Sequence, residues 1–265
     1  MVLRARVVAS ISTPHFTVTE AYHAPRLKLP LHSHAAANLC CLLTGSVRER
    51  FQTSVVGLTP GSVLYKAGGA KHEDEYGEQG AQSLIVELPD RWAPGVGFAA
   101  AGGGSRPFPP AYVLARRMSY ELHLQDSATP LVLEGLAMEL LGLFLRCRRS
   151  TCEEDRSARW VDQAYNLLNE DPTPSLKQIA TKLGLTRFRL TRGFQARFGC
   201  SPSAYLRKRR IVQAVTRLTS SDRSLANIAA DAGFSDQSHF CRVFKRYFGV
   251  RPTEYRRVMS RSGVV

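Results

Sequence analysis

Shifted by 50 residues, the last third of this chain falls on itself. Arg192 lands on Arg242, Phe194 on Phe244, Phe198 on Phe248, Gly199 on Gly249, Pro202 on Pro252, Tyr205 on Tyr255 and Arg207 on Arg257. Upstream the same comparison works at 49, with Ile179 on Ile228, Ala180 on Ala229 and Gly184 on Gly233, so a one-residue insertion near Gln237 reconciles the two stretches. A unit of this size that occurs twice is a small supersecondary structure: a short helix with Ala at a close-packing point, a turn containing Gly, then a longer helix. Ser175-Leu-Lys-Gln178 reads as a capping box opening one helix, and Gly184 as its left-handed stop. Thr186 caps a second helix ending at Gly199, and Ser201 with Pro202 starts a third that runs to about Thr219, because Pro at the first helical position loses no hydrogen bond. Ser224, Gly233, Ser235, Gly249 and Pro252 repeat this punctuation.

In the longer helix of each copy one face is apolar: Leu190, Phe194 and Phe198 in the first, Phe240, Phe244 and Phe248 in the second. These are core positions. At about 100° per residue, the opposite face carries Phe188, Arg189, Arg192 and Gln195 in the first copy and Ser238, His239, Arg242 and Lys245 in the second, with Thr186 and Gln237 at the helix starts. Arg can bind guanine bidentately, Gln can do the same for adenine, and Lys reaches guanine or a phosphate. One basic helix face is ordinarily solvated surface. Two at matched positions of a duplicated helix-turn-helix point to double-stranded DNA. The segment from Pro202 would span roughly 25 Å by its rise per residue. That rod could hold two recognition helices in successive major grooves, about 34 Å apart; a rod short of that spacing requires the DNA to bend. Arg207, Lys208, Arg209 and Arg210 fit phosphate contacts, salt-bridge partners or solvated charges better than base readers.

The charge follows the repeat. Of a formal net charge of +14, residues 151–265 hold 21 Lys/Arg against 10 Asp/Glu, whereas residues 1–150 hold 15 against 12. A polyanionic partner for the C-terminal half is the natural reading, with an acidic membrane surface or a merely soluble basic protein as alternatives. No apolar run reaches the roughly 18 residues of a membrane span; Leu131 to Leu145 is interrupted by Glu134 and Glu139. The N-terminus lacks a signal-peptide core. Six cysteines (Cys40, Cys41, Cys147, Cys152, Cys200, Cys241) form no C-x-x-C pair and read as reduced thiols. The expected location is the cytoplasm, with no membrane partner.

From Arg4 to about Leu88, short runs of Val, Leu and Thr alternate with turn residues, which suggests a small antiparallel sandwich or barrel. Pro94 to Pro110 reads as a loop or linker. Ala111 to Gln125 and Leu131 to Arg149 look helical, and Leu136, Leu140, Leu143 and Phe144 share one stripe. That stripe either packs on the barrel or forms a homodimer seam. The cluster Glu153-Glu154-Asp155-Arg156 marks a domain boundary. His32 and His34, on one face of a strand, and His72, after the turn holding Pro60-Gly61, are candidate ligand- or metal-binding residues.

Residues from about 157 to 259 resemble the DNA-binding domain of the AraC/XylS family of bacterial transcription regulators. The likeness is carried by Ile179-Ala180, Gly184-Leu185-Thr186, Leu190-Thr-Arg192-Gly-Phe194, Phe198-Gly199, Pro202 and Tyr205, and again by Ile228-Ala229, Ala232 through Phe240, Arg242-Val-Phe244-Lys245, Phe248-Gly249, Pro252 and Tyr255. It implies sequence-specific promoter or operator binding, usually to activate transcription with RNA polymerase as a partner, and a separate N-terminal domain for effector sensing or dimerisation. It also implies that Thr191 and Arg192 face bases. Phe188 departs from the pattern and must face a thymine methyl or pack locally.

The N-terminal histidines resemble the two motifs of cupin barrels, in which H-x-H and a later His converge as metal ligands. Such a set suits Zn, Fe, Ni or Cu. The cupin pattern also wants a Glu four or five residues past the second His, where this chain has Asn38 and Leu39. Cys40 could replace that carboxylate or simply pack, and Glu73 and Glu75 read as a solvated rim. The cofactor is therefore a divalent metal or a small-molecule effector, since the histidines can also line a pocket without metal.

The expected architecture is α+β: a cupin-like β-barrel sensor (1–93), a Gly/Pro-rich linker and helices for dimerisation (94–152), and an all-α domain of two helix-turn-helix units joined by a linker helix (153–265). The expected function is an effector-responsive, sequence-specific DNA-binding regulator, with no catalytic residues assigned. Competing readings are a cupin-type metalloenzyme with a basic nucleic-acid-binding tail, which the missing carboxylate disfavours, and a non-specific nucleic-acid binder.

Overall fold

The computed structural model of the chain describes residues 5–92, 98–100, 108–152, 159–170 and 175–261. Seven strands come first: β1 (Arg6–Ser12), β2 (Thr17–His23), β3 (Lys28–His32), β4 (Ala37–Phe51), β5 (Ser54–Leu58), β6 (Val63–Lys66) and β7 (His72–Leu88). An eighth, β8 (Phe98–Ala100), pairs with β6 inside the stretch whose composition suggested only a loop. Its place is set by the open edge of β6 rather than by propensity, which is why Gly- and Ala-rich sequence did not reveal it. All pairings are antiparallel, in the order β1-β2-β7-β4-β6-β8, with β3 also on β7 and β5 also on β4.

The long strands β4 and β7 frame the domain by changing partners halfway. Asn38–Cys41 of β4 pair with β6, whereas Val47–Phe51 pair with β5. Likewise β7 pairs with β3 in its first half and β2 in its second. The switch falls at Gly45 and Gly80, with φ of +76° and +70°. A Cβ on Gly45 would lie 1.9 Å from Gly80 O, so glycine is required both for the left-handed backbone and for the close approach. The bent ribbon gives β4 two buried faces. Ala37, Leu39, Cys41 and Leu43 belong to the core beneath the helices, while Leu42, Val47 and Phe51 join Leu58, Leu64, Tyr76 and Ala81 inside a cupin-like barrel.

Nine helices follow among the described residues. In α1 (Pro109–Leu124) two prolines occupy the first positions, and α2 is Thr129–Cys152. The rest are α3 (Arg159–Asn169), α4 (Leu176–Lys182), α5 (Arg187–Phe198), α6 (Pro202–Ser220), α7 (Leu225–Asp231), α8 (Gln237–Phe248) and α9 (Pro252–Arg261). The Glu153–Arg156 cluster lies outside the described residues. No helix among the described residues is long and apolar enough to cross a membrane. The stripe on α2 is consumed inside the chain: Leu136, Leu140 and Phe144 are buried, and Leu143 packs against the same core.

One core runs from the outer face of the sheet through α1 and α2 to α3, α4, α5 and Tyr205. A second holds α6 to α9 together and reaches Val113 and Tyr120 of α1. Helix α1 is therefore buried almost all round, although it carries Arg116 at 1% exposure. The Arg116 guanidinium donates to Leu43 O at 3.0 Å and to the Tyr112 hydroxyl oxygen at 2.9 Å; Tyr112 in turn donates to Leu43 O. From the other side, Tyr255 of α9 donates to the Arg116 carbonyl at 3.2 Å. Arg116→Ala removes these bonds and opens a cavity, so it is expected to cost about 2–4 kcal/mol. Urea unfolding of versions carrying only Trp92, in the barrel, or only Trp160, on α3, checks this: both reporters should shift, and a shift in one alone would contradict the shared core.

Candidate nucleic-acid interface and barrel site

The two repeats fold alike down to ring geometry. In the first, the Ser175 hydroxyl accepts from Gln178 N at 3.3 Å while Gln178 Oε1 accepts from Ser175 N at 2.8 Å, completing the expected capping box on α4. Gly184 turns the chain with φ +64°, and Thr186 Oγ1 accepts from Arg189 N at 3.2 Å to cap α5. In the second, Ser224 caps α7, Gly233 has φ +76°, and α8 begins at Gln237. Phe194 and Phe198 stand 4.5 Å apart by ring centroids, as do Phe244 and Phe248. Phe194 meets Tyr205 edge-on at 5.5 Å, and Phe244 meets Tyr255 edge-on at the same distance.

The expected cap at Ser235 is corrected to Asp236. Asp236 Oδ1 accepts from His239 N at 2.7 Å, and Ser235 donates to the other carboxylate oxygen. The His239 amide, then Ser235, hold the Asp236 carboxyl below its ordinary range. Leu185 and Phe234 make equivalent backbone bonds at an offset of 49, whereas the caps Thr186 and Asp236 are 50 apart. The extra residue is thus Ser235 itself, slightly upstream of Gln237.

Above the buried rings the sequence-derived candidates face outward. Thr186, Phe188, Arg189, Arg192 and Gln195 on the first unit and Gln237, Ser238, Arg242 and Lys245 on the second are exposed; Thr191 and His239 are half-buried. Among the described residues none of Arg189, Arg192, Arg242 and Lys245 enters an ion pair, which leaves their charge available to a polyanion. His239 is tethered, with Nδ1 3.1 Å from Ser235 Oγ and its ring edge-on to Phe234. Phe188 does not pack away: at 74% exposure it borders a shallow apolar depression shared with Trp160, Gly193 and Ala196. Trp160 was not singled out in the sequence. Its ring lies so close over α5 that a Cβ on Gly193 would come within 2.3 Å of it, and the pairing of an isolated Trp with a mid-helix Gly was the available signal.

Arg209 is also reassigned. Its guanidinium donates to Leu168 O at 2.8 Å, Asn169 O at 3.3 Å and Glu170 O at 3.4 Å, the carbonyls left open at the end of α3. It fastens α6 to α3 instead of standing free for a phosphate.

In the barrel, β3 pairs with β7 so that His32 lies opposite His72, and His34 follows on the next turn. Ring centroids are 4.3 Å apart for His32 and His72, 5.2 Å for His32 and His34, and 5.3 Å for His34 and His72, so the three predicted residues do converge. They meet a buried polar cluster of Glu49, Lys66, Asp74 and Tyr76. Alternation along β7 sends His72, Asp74 and Tyr76 inward and leaves Glu73 outside, with Glu75 half-exposed beside it. Glu73 and Glu75 pair with Arg50, Lys28 and Arg48 on the rim, as expected. The intervening Asp74 was the residue overlooked. Burial, followed by Lys66, lowers the pKa of His72, and burial raises that of Asp74 against the pull of Lys66. His23, stacked on Tyr76 at 4.2 Å, is held down to about 4 by burial and then Lys66. Cys40 is buried, its thiol pushed up to about 11 chiefly by burial, and is not among the residues whose ligand atoms cluster.

Two capped, basic-faced helices on repeated helix-turn-helix units, joined to a cupin-like barrel, define a class: a two-unit helix-turn-helix protein with a separate barrel domain. Residues 179–258 match the family described as "Helix-turn-helix domain". The chain is 40% identical over 78 residues to the probable transcription factor PqrA of Proteus vulgaris, covering 29% of this chain and 64% of that protein. It is 28% identical over 159 residues to an uncharacterised HTH-type transcriptional regulator of Haemophilus influenzae, covering 57% and 53%. It is 24% identical over 254 residues to the HTH-type transcriptional activator RhaR of Mannheimia succiniciproducens, covering 91% of each. The matched part thus spans under two thirds of the first two relatives. The C-terminal third is a helix-turn-helix domain of the AraC/XylS family.

Arg209→Ala is expected to lower stability by about 1–3 kcal/mol and to leave the preference between DNA sequences unchanged. Thermal unfolding and competition binding measure the two effects separately.

Proposed function

We propose that the chain is a sequence-specific DNA-binding transcription regulator that sets α5 and α8 into successive major grooves, with the barrel as its sensor. The carrying observation is the one-for-one equivalence of two capped helices whose buried rings superpose and whose exposed faces hold cations without internal partners. Arg192 and Arg242 are the paired base readers, and Gln195 and Lys245 occupy equivalent positions one turn further on. Phe188 supplies an apolar surface suited to a thymine methyl. At 19 residues, α6 is about 28 Å long, so a site with two blocks one helical turn apart needs some bending of the duplex.

The whole-chain reading follows that of the relatives, whose printed names are transcriptional regulators and, for RhaR, an activator. Activation with RNA polymerase, a small-molecule input to the barrel, action in the cytoplasm and the absence of catalysis belong to this proposal. For a homodimer we assign the exposed face of α2, where Leu131, Met138 and Leu145 recur every seven residues. Sedimentation of the full chain at micromolar concentration should show a dimer that Met138→Glu dissociates; a wild-type monomer removes this partner.

Selection from a random duplex pool with the full chain should return two blocks about one helical turn apart. Arg192→Ala and Arg242→Ala should each lose about 1–3 kcal/mol of discrimination, each in its own block. Recovery without a consensus would identify a non-specific binder instead.

A further inference from the structure

Two of the clustered histidines present lone pairs to the barrel interior. Nδ1 of His32 lies 2.9 Å from Pro30 O, and Nδ1 of His72 lies 2.9 Å from Ala70 O. A carbonyl only accepts, so each Nδ1 carries the proton and each Nε2 keeps its lone pair. What faces those lone pairs is another acceptor. Asp74 Oδ2 is 3.7 Å from His32 Nε2, and Asp74 Oδ1 is 4.0 Å from His72 Nε2. The Asp74 side chain is 5% exposed, yet Oδ1 has no hydrogen-bond partner, while Oδ2 receives a 3.4 Å bond from Tyr76. These separations are too long for hydrogen bonds. They suit ligands of one ion, which at bond lengths of about 2.1 Å in a tetrahedral site stand about 3.4 Å apart. The ligand atoms of His32, His34 and His72 all lie within 4.8 Å of one another.

Charge decides the class of guest. Lys66 Nζ is 3.3 Å from Glu49 Oε2 and 3.4 Å from His72 Nε2. Lys66 and Glu49 neutralise each other, which leaves the buried Asp74 carboxylate without a counter-charge. An anionic guest would add to that surplus, whereas a cation removes it. We propose that His32, His34, His72 and Asp74 bind a divalent transition-metal ion, with Asp74 supplying the carboxylate that Asn38 and Leu39 do not. Three imidazoles and one carboxylate favour an ion of the zinc, nickel or iron type over magnesium or calcium. Exposed His34 and half-buried His32 leave an approach from solvent, and the backbone carbonyls on His32 and His72 fix the rings in the ligating tautomer.

The test uses the full chain, stripped with a chelator and then titrated with Zn²⁺ or Co²⁺. Elemental analysis should find about one ion per chain, and Co²⁺ should give visible d–d bands of a low-coordinate site. Asp74→Asn, nearly the same shape, should weaken binding at least about tenfold, and His34→Ala, at an exposed position that leaves the core intact, should do likewise. Substoichiometric metal in the wild-type chain would overturn the proposal and leave an imidazolium–carboxylate pair as the occupant of the gap. Binding by Asp74→Asn within about twofold of wild type, with circular dichroism unchanged, would overturn the role of Asp74. DNA recognition, on α5 and α8, is measured independently of either result.

Discussion

A guanidinium taken wholly out of water has to be given acceptors, and where those acceptors sit decides what it binds together. Arg116 finds its acceptors on β4 and on its own helix, and its own carbonyl is claimed by α9. Around this point the same helix turns Leu114, Met118 and Leu122 toward one core and Val113 and Tyr120 toward the other. The Tyr112 hydroxyl also lies 3.3 Å from Thr216 Oγ1 on α6. Barrel, linker helices and both DNA-binding units therefore converge on one polar knot. A further buried group continues it: Glu20, which accepts from Ser119 at 2.7 Å and from Gln82.

Much of the C-terminal third was legible because its information is local. Caps, left-handed glycines and a helical period each act within a few residues, and the repeat allowed each signal to be read twice. Ser235 shows where that local reading stops. A serine before a helix is a good cap, but an aspartate one residue later offers a charged acceptor, and the extra residue is absorbed in the turn. Arg209 shows another limit. Nothing in a run of four basic residues says which one will meet the open carbonyls of a helix 40 residues earlier.

The barrel was harder to read. His32, His34 and His72 were visible as a spaced pattern, but the polar interior they join depends on which face of a 17-residue strand turns inward past its bulges. Asp74 sits between two acidic residues whose side chains meet solvent and basic partners, and in sequence the three look alike. Only the pairing of β7 with β3 and β4 separates them. The edge strand at Phe98–Ala100 escaped notice for a related reason, since what recruits it is a vacant hydrogen-bonding edge far back in the chain.

The two copies of the helix-turn-helix unit are equal in shape but not in surroundings. Phe198 packs on Tyr165 and faces Phe108, at the entrance to α1, and Leu143 lies 3.7 Å from where a Cβ on Gly199 would be. Phe248 leans on Tyr255, and among the described residues the second core meets the N-terminal half only through α1. The first copy is thus a wall of the whole molecule, and the second is closer to an appendage. Separated from residues before 153, the first copy would present a bare apolar flank to water while the second lost only its contacts with α1. Drift at equivalent positions is accordingly unequal: the second unit is free to acquire new side chains for new operators, and the first is held by what it supports.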